Sequence, residues 1–185
     1  QKLGPLVPRG FLSAWTKPKP PIPVPPDKKL RPLFSRGLTV SSRTTGKPKW
    51  KLEKGVLSGT AKASETGFLV TREQFRDFKL TGEFELKGKG KFNSGISFRV
   101  AGNPDKSAHF NIGDAAANEP FGIFFNGWKL KTKTKVNLPE WNGFRLRVAG
   151  NRVQGWINDE QVVDYKLEQA DMPEGQIAFQ CAANK

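Results

Sequence analysis

The sequence predicts an all-β body of two antiparallel sheets packed face to face, one concave and one convex, and three observations carry that prediction. Apolar residues alternate with polar ones over short stretches. The clearest case sets Phe78, Leu80, Gly82, Phe84 and Leu86 against Lys79, Thr81, Glu83, Glu85 and Lys87, the period of a half-buried strand. Phe, Gly, Lys and Thr are prominent while helical runs rich in Ala, Leu and Glu are missing, a composition that favours β structure. Turn signals separate roughly ten to twelve such stretches, the spacing of a sandwich, and 185 residues are enough for one core of this kind.

Taken in order, the chain opens on a segment of another character. Nine of its fourteen prolines fall within residues 1–34, where missing N–H donors and a fixed φ exclude helix and ladder and favour an extended polyproline form. The same stretch carries Lys2, Arg9, Lys17, Lys19, Lys28, Lys29 and Arg31 against a single acid, Asp27. It reads either as a solvated linker or as a basic arm that threads along a partner. In the second case Arg9, Trp15, Lys17, Lys19, Lys28, Lys29 and Arg31 are the contact residues.

The body, residues 35–185, begins with short strands at Leu38–Val40, Trp50–Leu52 with Val56–Leu57, and Gly67–Thr71. The long alternation from Phe78 follows. Gly88–Lys91 then turns the chain into Asn93–Val100, its expected antiparallel neighbour. Phe121–Phe125 is a strand ended by Asn126-Gly127, and Lys129, Lys131, Lys133 and Lys135 mark a basic edge that resists pairing with strangers. Phe144–Val148, Val153–Ile157 and Val162–Tyr165 read as a meander of hairpins, and Ile177, Phe179 and Cys181 form the last alternation. Trp50 and Trp141 read as core residues.

Chemistry concentrates in one place. Ile96, Phe98 and Val100 alternate with Ser97 and Arg99, and Phe110 and Ile112 alternate with His109, Asn111 and Gly113. Adjacent strands of this pattern would gather Arg99, His109, Asn111 and Asp114 on one polar floor. His109 is the only histidine of the chain, and its ordinary pKa near neutrality suits a base; the favoured reading is a surface or rim histidine on a polar strand face. Arg99 and Asp114 read as substrate contacts or as an ion pair. By parity Trp156 projects opposite to Val153, Gly155 and Ile157, as a sugar-stacking platform or a wall contact.

Composition bounds the rest. A formal charge of +14 implies attraction to acidic surfaces, whether anionic lipid, an acidic protein or nucleic acid, although no nucleic-acid motif and no exposed aromatic pair accompanies it. One Cys and one His build neither a disulfide nor a zinc cluster, so no metal or cofactor is expected. Cys181 reads as a small buried hydrophobe. No apolar run is long enough to span a membrane. The chain starts at Gln1 rather than Met, as a processed N-terminus would.

The motifs from Pro32 onward resemble the 3-keto-disaccharide hydrolase domain family, long known as domain of unknown function 1080. The residues that carry the resemblance are Pro32-Leu33-Phe34 with Gly37-Leu38, Gly55-Val56-Leu57, Asp77–Leu80, Asn93–Ile96 with Phe98-Arg99, Glu140–Asn142 with Arg145, Ile157-Asn158, and Gly175–Gln180. The resemblance implies a concanavalin-like or laminin-G-like jelly roll, an exported bacterial setting (periplasmic or extracellular) and activity on glycosides oxidised at the sugar 3-position. A carbonyl there acidifies the neighbouring C–H, so a base can drive loss of the glycosidic oxygen.

Where the family has Glu-x-Gln-Ile-x-Asp, this chain has His109-Phe110-Asn111-Ile112-Gly113-Asp114, and where the family has Leu-Gln-x-His-Gly it has Phe179-Gln180-Cys181-Ala182-Ala183. The family's acid is thus replaced by a histidine. The expectation drawn from this erosion, the charge and the arm is a non-catalytic exported subunit that docks on a larger, even membrane-bound, protein complex through residues 1–34. The alternatives are an enzyme on 3-keto sugars using His109 and Asp114, and a lectin-like module holding glycan with Arg99, Asn111 and Trp156.

Overall fold

The computed structural model describes residues 30–87, 92–114, 122–125, 128–131, 140–167 and 174–183. Thirteen strands fall within them, arranged as a seven-stranded sheet, a four-stranded sheet and a two-stranded hairpin.

The strands are β1 Ser42–Gly46, β2 Lys49–Glu53, β3 Val56–Thr60, β4 Thr66–Phe75, β5 Phe78–Phe84 and β6 Phe92–Val100. They continue with β7 Ala108–Asp114, β8 Gly122–Phe125, β9 Trp128–Lys131, β10 Asn142–Ala149, β11 Arg152–Ile157, β12 Glu160–Lys166 and β13 Gly175–Ala183. The larger sheet runs β1-β4-β13-β6-β7-β8-β9 and the smaller β12-β11-β10-β5, all neighbours antiparallel. Among the described strands, β9 stands at an edge of the larger sheet. The smaller sheet contains the expected meander β10-β11-β12.

The core lies between the two sheets. Phe84, Phe144, Leu146, Val148, Val153, Ile157 and Val163 come from the smaller sheet and Ile96, Phe98, Phe110, Ile112 and Ile177 from the larger. Each large apolar side chain buried there contributes about 1.5–3 kcal/mol. Gly155 is a point of close approach: a Cβ on it would overlap the Phe110 ring, so this glycine lets a phenylalanine from one sheet reach the backbone of the other.

Three expectations are corrected. Leu38–Ser41 is a single helical turn, α1, rather than a strand. Gly37 enters it at φ 78°, and the Ser42 hydroxyl donates to the Leu38 carbonyl at 2.7 Å, a local hydrogen bond that competes with a ladder. Secondly, β5 does not pair with β6: it is the edge of the smaller sheet beside β10, while β6 lies between β13 and β7 in the larger. The long alternation of β5 fixes which face is buried and carries no information about its neighbour. Thirdly, Trp141, immediately before β10, is 53% exposed rather than part of the core.

Candidate functional site

β6 and β7 are adjacent as expected, with Ser97 opposite His109 and Gly95 opposite Asn111. On its other side β6 meets β13, where Ala178 faces Ser97 and Ala182 faces Asn93. Ile96, Phe98, Phe110 and Ile112 point into the core. Asn93, Gly95, Ser97, His109, Asn111 and, on β13, Gln180 therefore belong to the outer face of the larger sheet. Asp114 stands opposite Asn93 in the backbone register.

The imidazole of His109 is held in two ways. Its Nδ1 lies 2.9 Å from the Ser97 hydroxyl, and its Nε2 edge occupies the space where a Cβ on Gly95 would sit. That glycine allows the ring to lie along β6. Desolvation by burial lowers the pKa of His109 to about 4, since burial penalises the charged form. At neutral pH the ring is uncharged, with one nitrogen a donor and the other an acceptor. Asn111, 1% exposed, lies beside it.

Two further groups complete the strip. The side-chain oxygens Asn93 Oδ1 and Gln180 Oε1 are buried and accept no hydrogen bond, a state that costs about 1–3 kcal/mol for each group. Asn93 faces Ala182, two residues beyond Gln180, so the two amides are diagonal neighbours on adjacent strands. Neither was among the site residues read from the sequence, although both stand in its family motifs. Their shared parity with Ser97 was the signal that could have found them.

Arg99 does not join this floor. It sits at φ 52° in a bulge, where β6 spends three residues from Ser97 to Val100 while β13 spends two from Ala178 to Gln176. A bulge reverses the alternation beyond it. Val100 consequently joins Phe68, Val70 and Ala178 in a second cluster instead of the main core. The Arg99 guanidinium, 5% exposed, donates to the carbonyls of Arg76 and Gly150 and to Asp77. Burial lowers its pKa, and Asp77 opposes that shift. It is a structural tie.

Trp156 is also elsewhere, on the outer face of the smaller sheet, with the Arg145 guanidinium 4.4 Å above its ring. One side of the expected stacking platform is thus already covered. Arg99, Asn111 and Trp156 occupy three separate places. Burial raises the pKa of the half-buried Cys181 thiol, which keeps it protonated at neutral pH. The described residues bring together no three His, Cys, Asp or Glu that could hold a metal ion, and none of their helices is long and apolar enough to cross a membrane. Of the arm's contact residues Arg31 is exposed, while Arg9, Trp15, Lys17, Lys19, Lys28 and Lys29 lie outside the described residues.

The profile of the 3-keto-alpha-glucoside-1,2-lyase-like domain matches residues 34–185. The chain belongs to that family. No curated protein matches the sequence. Among solved structures, this chain is similar to the carbohydrate-binding module CBM66 from Bacillus subtilis, at 17% identity over 77% of this chain and 89% of that one, with a TM-score of 0.61. It is also similar to a putative glycosyl hydrolase from Parabacteroides distasonis, at 20% identity over 81% and 89% of the two chains, with a TM-score of 0.62. A protein of unknown function with a galectin-like fold from Bacillus subtilis matches at 12% identity over 82% and 87%, with the same TM-score of 0.62. The fold of this chain is accordingly a jelly-roll sandwich shared with these proteins.

Proposed function

We propose that this domain binds an uncharged carbohydrate on the outer face of its seven-stranded sheet. The observation that carries the reading is the pair of buried acceptors without donors, Asn93 Oδ1 and Gln180 Oε1, on the face that also bears Ser97, Asn111 and a neutral His109. Sugar hydroxyls are donors and acceptors at once, so they satisfy amide oxygens and an imidazole together. No formal charge is present on Asn93, Ser97, His109, Asn111 or Gln180 at neutral pH, which favours an uncharged ligand. The likeness to a carbohydrate-binding module supports the same reading.

Family membership raises the lyase reading, in which His109 would remove the proton beside a 3-keto group. An imidazole whose pKa is lowered to about 4 is a weak base for that task near neutrality, so holding the sugar is favoured over cleaving it. The expectation of a non-catalytic subunit docked through its arm finds no support among the described residues.

The test is calorimetric titration of the full chain with a panel of neutral oligosaccharides, alongside incubation with a 3-keto-glucoside. Binding of at least one neutral glycan, weakened about tenfold or more in Asn93→Leu/Gln180→Leu while the fold is retained, is the expected result. The reading fails if no neutral glycan binds or if the double variant binds as well as the parent. Turnover of the 3-keto-glucoside that is lost in His109→Gln would establish the lyase reading instead.

A further inference from the structure

The opposite side of the sandwich carries a second surface of different chemistry. On β10 the residues Gly143, Arg145 and Arg147 face outward, since Phe144, Leu146 and Val148 fill the core. Arg145 stands opposite Trp156 and Thr81, and Arg147 opposite Gln154 and Lys79. Arg145 meets no acceptor among the described residues and rests on the indole, 4.4 Å below. A guanidinium stacked on a ring is fixed in orientation while its in-plane N–H groups stay directed outward. Arg147 has only a 3.4 Å hydrogen bond to the Gln154 amide oxygen. Asp164 on this face is already clasped by Arg152 through both oxygens, at 2.7 and 2.6 Å, and exposed Glu83 forms no ion pair with Arg145.

At the head of the same strand stands Trp141, 53% exposed on a rigid base. The Asn142 amide donates to the Glu140 carbonyl at 2.7 Å and its oxygen accepts from Asn158 at 2.9 Å, while the Asn158 side-chain oxygen accepts from the Gly143 N–H at 2.9 Å. Between Trp141 and Arg145 the backbone is open: a Cβ on Gly143 would meet nothing within 4 Å. From Trp141 to Arg147 the strand spans about 20 Å. A bare indole, a clear backbone and two outward guanidiniums thus lie along one line.

We propose that this face of the four-stranded sheet binds a polysaccharide of uronic acids. Trp141 offers a ring to a pyranose face, and Arg145 and Arg147 take carboxylates in the bidentate geometry that a guanidinium fork matches. A single-stranded nucleic acid stacks successive bases on successive aromatics, and here the second indole is covered by Arg145. An acidic protein would need an apolar anchor at the centre of its footprint, and among the described residues the other large exposed apolar side chains, Leu30, Val40 and Val56, belong to other segments. This surface does not depend on the sugar site of the larger sheet.

Electrophoresis of the full chain through gels containing polygalacturonate, at physiological salt, tests the proposal. The parent is retarded. Arg145→Ala/Arg147→Ala reduces the apparent affinity about tenfold or more, and Trp141→Ala reduces it severalfold. Arg145→Lys/Arg147→Lys stays well below the parent although its charge is unchanged, because an ammonium lacks the fork. Lys47→Ala/Lys49→Ala, which removes the same charge from another surface, leaves retardation as in the parent. The proposal is overturned if the parent is not retarded, if the two charge-removing variants lose equally, if the Lys pair equals the parent, or if polyuridylate or polyglutamate binds as tightly as polygalacturonate.

Discussion

The two outer faces of this sandwich are built from the same alternation of side chains and differ in what the alternate positions hold. On the larger sheet they are Asn93, Gly95, Ser97, His109, Asn111 and Gln180, short, uncharged and enclosed enough to suppress the charge of an imidazole. On the smaller sheet they are Lys79, Arg145, Arg147, Arg152 and Lys166, long and cationic, with Arg145 resting on the Trp156 ring and Arg152 on Asp164. Burial governs the first face and Coulomb attraction the second. Ligands of the first should therefore be nearly indifferent to salt, and those of the second strongly sensitive to it.

That comparison can be broken most severely by releasing the tie between the layers. Arg99→Met removes a buried guanidinium from two carbonyls and an exposed carboxylate and should cost about 2–4 kcal/mol in urea unfolding, mainly from the carbonyls left without a donor, with both faces losing their ligands together.

The second effect is confined to the neutral face. His109 has a pKa of about 4 in the folded chain against 6.5 in its absence, so the unfolded state takes up a proton first on acidification. Stability from this residue is complete above about pH 6.5 and falls as pH drops toward 4, by up to about 3 kcal/mol. His109→Gln should flatten that limb of the stability profile, and an unchanged profile would place the ring in a wetter setting.

Smaller again is Gly95→Ala. Its methyl would overlap the His109 ring and approach the Phe110 carbonyl at 2.8 Å, for a loss of about 2 kcal/mol and a displaced imidazole signal in NMR spectra. The charged face should respond least: Trp156→Ala removes the seat of Arg145 at about 1 kcal/mol or less. It leaves the neutral face and its pH profile untouched.

How much of this was legible beforehand follows from what alternation encodes. Period-two patterns at Phe78–Phe84, Phe144–Val148 and Ile96–Phe98 named the buried faces correctly, because burial acts residue by residue along a strand. Pairing between strands is a long-range property, so the jump of β5 into the smaller sheet was not readable from its own residues. The bulge at Arg99 was equally silent: one extra residue turns Val100 to the other side and drops the guanidinium inward, and a non-glycine residue at positive φ carries no marker in the text. His109 and Asn111 were found because they interrupt an apolar pattern with polar groups. Asn93 and Gln180 were overlooked because an amide on a strand looks like ordinary surface until its oxygen is seen without a donor. Trp141 was misplaced for a related reason, since a tryptophan's size argues for burial and only the structure shows it standing outside.

The knot around Arg99 carries one more consequence. The Gly150 N–H, in the tight connection between β10 and β11, donates to Asp77 at 2.8 Å while the Gly150 carbonyl receives the guanidinium. A surface bend clamped from both sides does not breathe like one. Its amide should trade its proton for deuterium on the slow schedule of the sandwich interior, so that this corner opens only when the whole body does.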